Sequence, residues 1–275
     1  MLFVSGERPE RFVKAMAAGA DVICIDLEDA VARDRKDQAR GDALRWLAGH
    51  AAQAGDAGRP AVALRLNAVR TLDGLRDVLA LSEADAMPDW LLLPKIEAAA
   101  DLHCVQAWLG ARCPPLVALI ETPGAVEDAC AIARAGGMLA ALMLGGADLS
   151  AELGAQFGWD GLLQSRGRLL NAARAHGLQA WDVPHIDLGR LDDLAHETGR
   201  VLALGFDCKT AIHPSQVPVI HQAFMPPPER LEWARALLAA LPENGTAGAF
   251  MFRGGMVDAP VVRNATRILA RAGQR

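Results

Sequence analysis

The ten residues LVALIETPGA, numbers 116–125, run from an unbroken apolar segment into a carboxylate and then into a helix start. Leu116 to Ile120 shows no polar alternation, which suits a strand covered on both faces. Thr122 followed by Pro123 reads as an N-cap and a first helical position, and Val126, Ala129, Ile132 and Ala133 recur at helical spacing beyond it. Glu121 stands between the two elements. A strand that hands over directly to a helix is the unit of an α/β fold, and a charged group at the strand's C-terminal tip is where such folds keep their chemistry.

The same unit recurs along the chain. Apolar runs rich in Val, Ile and Leu occur at 2–5, 21–28, 61–67, 90–95, 116–121, 139–148, 178–183 and 207–214. Between them, Pro9 opens a segment with Phe12, Ala15 and Met16 on one face and Gly19 at its end, and Thr71 can cap a helix bearing Leu72, Leu75, Val78 and Leu79. Asp187 to Thr198 brings Leu188, Leu191, Leu194 and Ala195 together. No Pro/Ser-rich linker or composition break interrupts this alternation before residue 242. The simplest closure is one (β/α)8 TIM barrel over residues 1–241, with an open doubly wound sheet as the competitor. From 242 to 275 the character changes: a Gly-rich stretch, a short apolar piece from Ala249 to Phe252, a Gly254-Gly255 turn and a final helix. This segment reads as a C-terminal arm with a helical appendage, suited to closing over a site.

Composition excludes several classes. The 275 residues carry a net charge of −5 with both signs interspersed and no basic stripe, so nucleic acid is not an expected partner. No apolar run reaches the roughly 18 residues that span a bilayer, and the first residues lack the pattern of a signal peptide, so no membrane is expected. Five cysteines, Cys24, Cys104, Cys113, Cys130 and Cys208, form no C-x-x-C pair, which suits a reducing, cytoplasmic compartment. Only four of the 28 basic residues are lysines, Lys14, Lys36, Lys95 and Lys209. In a chain that prefers arginine, a surviving lysine suggests a need for its compact ammonium. Tyrosine, a common general acid, is absent.

The expected strand ends carry Ser5, Asp26 with Glu28 and Asp29, Arg65 with Asn67, Lys95, Glu121, Asp148, Asp182 and His213. Glu121 and Asp148 end neighbouring strands, so their carboxylates can share one hard cation, Mg²⁺ or Mn²⁺, with positions left for water and substrate oxygens. The alternative is that Asp148 caps the next turn and Glu121 pairs with an arginine. Gly145-Gly146-Ala147 would let backbone approach a ligand, or would be a plain turn. Arg65 suits a substrate carboxylate, and a salt bridge to Glu28 or Asp29 is compatible with that. Asp26 and Glu28 share one strand face and could act on a metal through water. His213 reads first as a satisfied strand-end histidine, and Asp258 as the N-cap of the last helix with Pro260 in its first turn.

Seven stretches occur in one order: LFVSGERPERFVKAMAAGADVICIDLEDAV, LRLNA, LLLPKIE, LIETPGAV, LGGADLS, GFDCKTAIHPSQV and GGMVDAPVVRNATRIL. Together they resemble the citrate lyase β-subunit-like family of the HpcH/HpaI aldolase superfamily, whose relatives include the malyl-CoA and citramalyl-CoA lyases. The resemblance implies a (β/α)8 barrel and a Mg²⁺-dependent lyase that cleaves or forms a carbon–carbon bond in a 3-hydroxyacyl-CoA thioester, giving a keto acid and an acyl-CoA. It further implies Glu121 and Asp148 as metal ligands and Arg65 at the keto-acid carboxylate. Phe3, Arg8, Lys14, Ile212, His213 and the backbone at Ala147 would lie along the substrate, with Lys209 at the phosphates of CoA. Asp258 would be the acid/base at the acetyl methyl carbon, delivered by a neighbouring subunit of a homotrimer or hexamer. The chain departs from the family at Ser5, where proline is common, at Cys208, and at Gly255, where a lysine often precedes the methionine. Two other readings stand beside this one: a metal-dependent class II pyruvate aldolase without CoA, and a citrate lyase complex subunit acting on a thioester held by an acyl carrier protein.

Overall fold

The structure, a computed structural model, describes residues 1–51, 59–241 and 248–273. The chain divides into two compact units, Met1–Val219 and Ile220–Arg275.

The first unit is a curled sheet of eight parallel strands in sequential order, consistent with a TIM-like barrel: β1 (Leu2–Ser5), β2 (Val22–Asp26), β3 (Ala61–Arg65), β4 (Trp90–Leu93), β5 (Leu116–Ile120), β6 (Leu139–Leu144), β7 (Gln179–Asp182) and β8 (Cys208–Lys209). Each expected apolar run contains one strand. The eighth is the shortest at two residues, yet the backbone just beyond it forms a parallel bridge from Ala211 to Leu2. Phe3 N donates to Ala211 O and Ala211 N to Met1 O, both at 2.8 Å.

The strands are buried on both faces, as their apolar sequences require. Alternate residues, Cys24, Ala63, Val117, Leu119, Ala141, Met143 and Trp181, pack into one cluster with Met1 and Leu92. Their period-two successors toward the C-terminal tips are polar: Asp26 and Glu28 follow Cys24, Arg65 follows Ala63, and Glu121 follows Leu119. The alternation that builds the core therefore carries these side chains to one end of it.

Helix entries behave as their caps predict. Thr71 Oγ1 accepts from Gly74 N at 3.1 Å, and Thr122 Oγ1 from Ala125 N at 3.1 Å. The Thr122 segment forms two five-residue pieces, Pro123–Glu127 and Ala129–Ala133, whose Val126, Ala129, Ile132 and Ala133 are all buried. Helix Leu72–Glu83 departs from expectation. Leu72 is 71% exposed and Leu79 60%, while Gly74, Asp77, Val78 and Leu81 face inward. The polar inward residue is satisfied: Asp77 accepts from Arg40 Nε at 2.6 Å and from Asn67 N and Nδ2 at 2.7 and 2.8 Å. Gly74 lies against Ala68, where a Cβ would stand 2.2 Å from the carbonyl oxygen. Apolar spacing alone could not reveal a buried aspartate. Leu188 also falls outside its expected helix, which begins at Leu191.

The second unit has its own core of Ala234, Leu237, Val257, Ala265 and Ile268. Helix Pro228–Ala239 is followed by a hairpin, β9 (Phe250–Phe252) and β10 (Gly255–Val257), and by helix Ala259–Gly273. The expected start of the appendage, residues 242–247, lies outside the described residues. The hairpin turn falls one residue earlier than the two glycines suggest, at Arg253 and Gly254, with φ of 47° and 81°. Two consecutive left-handed residues match the right-handed twist of a tight hairpin. Among the described residues no helix is long and apolar enough to cross a membrane.

Candidate active site

The tips of β2, β3, β4 and β5 and the first turn after β6 bring five carboxylates and two cations together. Arg65, at the end of β3, is clamped by Asp26 through Nε and Nη2, both at 2.7 Å. Its Nη1 meets Glu28 at 3.0 Å and Asp29 at 3.7 Å. Phe3 of β1 lies under the guanidinium, 5.2 Å from ring centroid to Cζ. Burial works against the charged form of Arg65, but Asp26 and then Glu28 and Asp29 hold its pKa above the ordinary arginine value. The main partner of Arg65 is thus Asp26, whose oxygens also accept from Glu28 N at 2.9 Å and Ala30 N at 3.2 Å. Asp26 orients the arginine.

Glu28 is buried, and neither of its carboxylate oxygens has a conventional hydrogen-bond partner. Instead Oε2 faces Arg65 Nη1 at 3.0 Å and Oε1 faces Lys95 Nζ at 3.1 Å. Burial raises its pKa; Arg65 opposes that, and Asp29 adds to it.

Glu121 follows β5 and is 3% exposed. Its Oε1 accepts from the backbone N–H of Lys95 at 2.5 Å. Burial, reinforced by the Glu28 and Asp148 charges and opposed by Lys95 N–H and Arg65, pushes its pKa up to about 7. The glutamate fits because Gly145 has no side chain: a Cβ there would stand 2.3 Å from Glu121 Cβ and 2.4 Å from Oε2. Gly146 packs instead against Val183, Leu162 and Phe157. The glycine pair is thus explained by protein packing, and Ala147 beside it is exposed. Asp148 does not end a strand, since β6 stops at Leu144; it occupies the first turn of helix Gly146–Leu153, where the helix dipole favours an anion. A cavity of about 420 Å³ is lined by Lys95, Glu97, Glu121, Thr122, Asp148, Ala151 and Glu152.

These residues fit a hard divalent cation. Glu121 and Asp148 face one cavity with oxygen donors only, and a cation there would offset both the burial that raises the pKa of Glu121 and, less, the neighbouring Glu28 and Asp148 charges. Among the described residues no group of three or more His, Cys, Asp and Glu side chains is preassembled around a metal position, so the remaining ligands would be water and substrate.

The other expected site residues are placed as follows. Ile212 and His213 are exposed in the loop after β8, where buried Gln216 holds their backbone: its Oε1 accepts from Ile212 N at 2.9 Å and His213 N at 3.3 Å. His213 Nδ1 contacts Ser215 Oγ at 2.8 Å. Arg8 and Lys14 are exposed on the segment after β1, and Arg8 approaches only Glu10, at 3.9 Å, among the ion pairs of the described residues. Lys209 is a correction. Its side chain is 0% exposed and pairs with Asp182 at 2.7 Å and closely with Glu197, so it presents no ammonium to a phosphate. Arg166 completes that buried network through Asp182 at 2.7 Å. Asp258 lies in the second unit and caps its last helix, with Val261 N donating to Oδ1 at 3.3 Å. Sequence reasoning missed Glu97, Thr122 and Glu152 as cavity walls. It noted Lys95 only as a rare lysine at a strand end, although its rarity was the available signal.

Residues 1–214 match the model of the HpcH/HpaI aldolase/citrate lyase family. The chain is 40% identical over 280 residues to the citrate lyase subunit beta-like protein of Mycobacterium tuberculosis, spanning 99% of this chain and 95% of that one. It is 29% identical over 292 residues to the mitochondrial citramalyl-CoA lyase of Mus musculus, spanning 99% and 85%. Among solved structures, protein CitE from Mycobacterium tuberculosis in complex with magnesium, acetoacetate and coenzyme A aligns with a TM-score of 0.81 at 38% identity, over 99% of this chain and 97% of that one.

Proposed function

Because this chain belongs to the HpcH/HpaI aldolase/citrate lyase family, we propose that it is a Mg²⁺-dependent carbon–carbon lyase acting on a 3-hydroxyacyl-CoA thioester such as citryl-, malyl- or citramalyl-CoA. The observation that carries this reading is the pairing of a buried, charge-crowded Glu121 with Asp148 on one cavity wall. The magnesium-, acetoacetate- and coenzyme A-bound relative supports both the metal and CoA as the carrier of the acyl group. In this reading the sheet closes as a (β/α)8 barrel, and residues beyond it form an arm over the site of a neighbouring subunit.

Glu121 and Asp148 would hold the ion, which supplies a Lewis acid toward the hydroxyl and keto oxygens. The residues of the chain do the rest. Arg65, held by Asp26 and backed by Phe3, offers its remaining N–H groups to the keto-acid carboxylate. Cleavage takes the hydroxyl proton to solvent and breaks the adjoining carbon–carbon bond, leaving a keto acid and a thioester enolate. Asp258 donates its carboxyl proton to the enolate carbon, which becomes the methyl of acetyl-CoA. Ile212 and His213 border the acyl chain through a loop that Gln216 fixes.

The test is proton–deuterium exchange at the methyl of acetyl-CoA, followed by NMR in D₂O with Mg²⁺ and glyoxylate, pyruvate or oxaloacetate in turn. Exchange with one keto acid is expected and identifies the product pair. Absence of exchange with all three, from folded protein that binds Mg²⁺, would remove the CoA reading in favour of a carrier-bound thioester or a CoA-free aldolase.

A further inference from the structure

Lys95 occupies a conformation that side chains avoid, and it contacts four of the five carboxylates of the site, all but Asp26. Its φ is 53°, one of two positive values among the described non-glycine residues. A left-handed lysine is strained in isolation, its Cβ crowding the backbone. Two contacts offset that strain. The backbone N–H reaches Glu121 Oε1 at 2.5 Å. The ammonium, turned toward the tips of the other strands, lies 3.1 Å from Glu28, 3.5 Å from Asp148 and 3.9 Å from Asp29. One residue thus aims one expected metal ligand with its main chain and neutralises the other with its side chain.

Charge makes the arrangement consequential. Among the described residues, the ion pairs of Asp26, Glu28, Asp29 and Asp148 run only to Arg65 and Lys95, and Arg65 is committed to Asp26 and Glu28. Glu28 is buried and lacks conventional hydrogen bonds, so it depends on both cations. Lys95 and Asp148 are 43% and 40% exposed, so their contact is open to water and can exchange.

We propose that Lys95 is the built-in cation of this acidic centre: its ammonium occupies Asp148 when no metal is bound, and a divalent ion must displace it, so that Lys95 sets the metal affinity. The inference rests on the metal reading of Glu121 and Asp148. It predicts that the protein tolerates metal loss, because a resident monovalent charge takes over, and that it binds divalent ions more weakly than its carboxylates alone would allow. Removing the ammonium removes a like charge from beside the dication, a repulsion that is steep at contact distance.

The experiment titrates Mn²⁺ into the wild type and into Lys95→Met, Lys95→Asn and Lys95→Arg, with free Mn²⁺ read by electron paramagnetic resonance and metal-free melting by circular dichroism. Asparagine tolerates positive φ and methionine brings no oxygen ligand, so agreement between them isolates the charge. Both neutral variants are expected to bind Mn²⁺ at least about tenfold more tightly. They should melt earlier without metal and gain more on its addition than the wild type, and Lys95→Arg should stay within about threefold of the wild type. Unchanged or weaker Mn²⁺ binding in the folded neutral variants overturns the role given to Lys95. No Mn²⁺ uptake by the wild type overturns the metal assignment beneath it.

Discussion

Glu121 and Gly145 share one space: the carboxylate of the first sits 2.4 Å from where a Cβ on the second would be. The strand end after β6 therefore has to be glycine so that the glutamate after β5 can lie flat against it. Gly145→Ala should cost about 1–3 kcal/mol through overpacking. It should also weaken divalent-ion affinity by about 10–100-fold, because the ligand is pushed out of position. Isothermal titration with Mg²⁺ and urea denaturation check the two effects. Wild-type affinity in the alanine variant would show that the glutamate need not lie there.

Stability without metal should fall as pH rises through the range of Glu121. Its folded pKa, raised to about 7 from 4.5, means that the native state binds more protons than the unfolded chain across that interval. The associated stability is fully present below about 4.5 and is lost on the way to 7, a change of roughly 3 kcal/mol. Urea midpoints in EDTA at pH 5 and pH 8 measure it. Glu121→Gln should remove most of this slope and abolish metal-dependent turnover; an unchanged slope would mean that other groups carry it.

Lys209→Met should be strongly destabilising, by about 3–5 kcal/mol, because it strands Asp182 and Glu197 without their shared ammonium. Although burial opposes it, Asp182 is held below the usual carboxylate range by Lys209 and then Arg166. Its contribution is therefore fully present above that range and lost as pH falls from there through the lowered pKa of Asp182. Unaltered stability combined with weakened CoA binding would return Lys209 to the substrate.

Asp258 can be divided into its two roles. Asn caps helices as well as Asp does, so Asp258→Asn should leave melting within a few tenths of a kcal/mol of the wild type, while Asp258→Ala should lose about 1 kcal/mol from the end of helix Ala259–Gly273. Both should lose methyl-proton exchange on acetyl-CoA. Exchange that survives in the asparagine variant would assign the residue to the cap alone.

Fold and site were legible in the sequence to different depths. Continuous apolar runs located all eight strands, and the threonines at 71 and 122 marked helix starts, because both signals are local and backbone-driven. The outward leucines of helix Leu72–Glu83 were misread because the inward face carries Asp77, whose partners Arg40 and Asn67 lie on other elements. The same holds for Lys209, which the resemblance implied at the phosphates of CoA and which Asp182 and Glu197 enclose instead. Glu121 follows its strand directly, as the apolar run indicated, whereas Asp148 was read as a strand end and lies in the first turn of the next helix, because Gly145 and Gly146 end the strand early. Lys95 was not given its place, since a positive φ at a lysine has no sequence signature of its own.

The pairing of Leu2 with Ala211 sets a timetable for synthesis. Strand β1 leaves the ribosome first, and one of its edges has no partner until about 200 residues later, roughly 10–40 s at ordinary translation rates. For that interval a short apolar strand presents open N–H and C=O groups, the kind of edge on which chains adhere to one another. The earliest-made strand is the last to be sealed. A chaperone that shelters nascent β1 would therefore raise the yield of folded protein more than one acting after release.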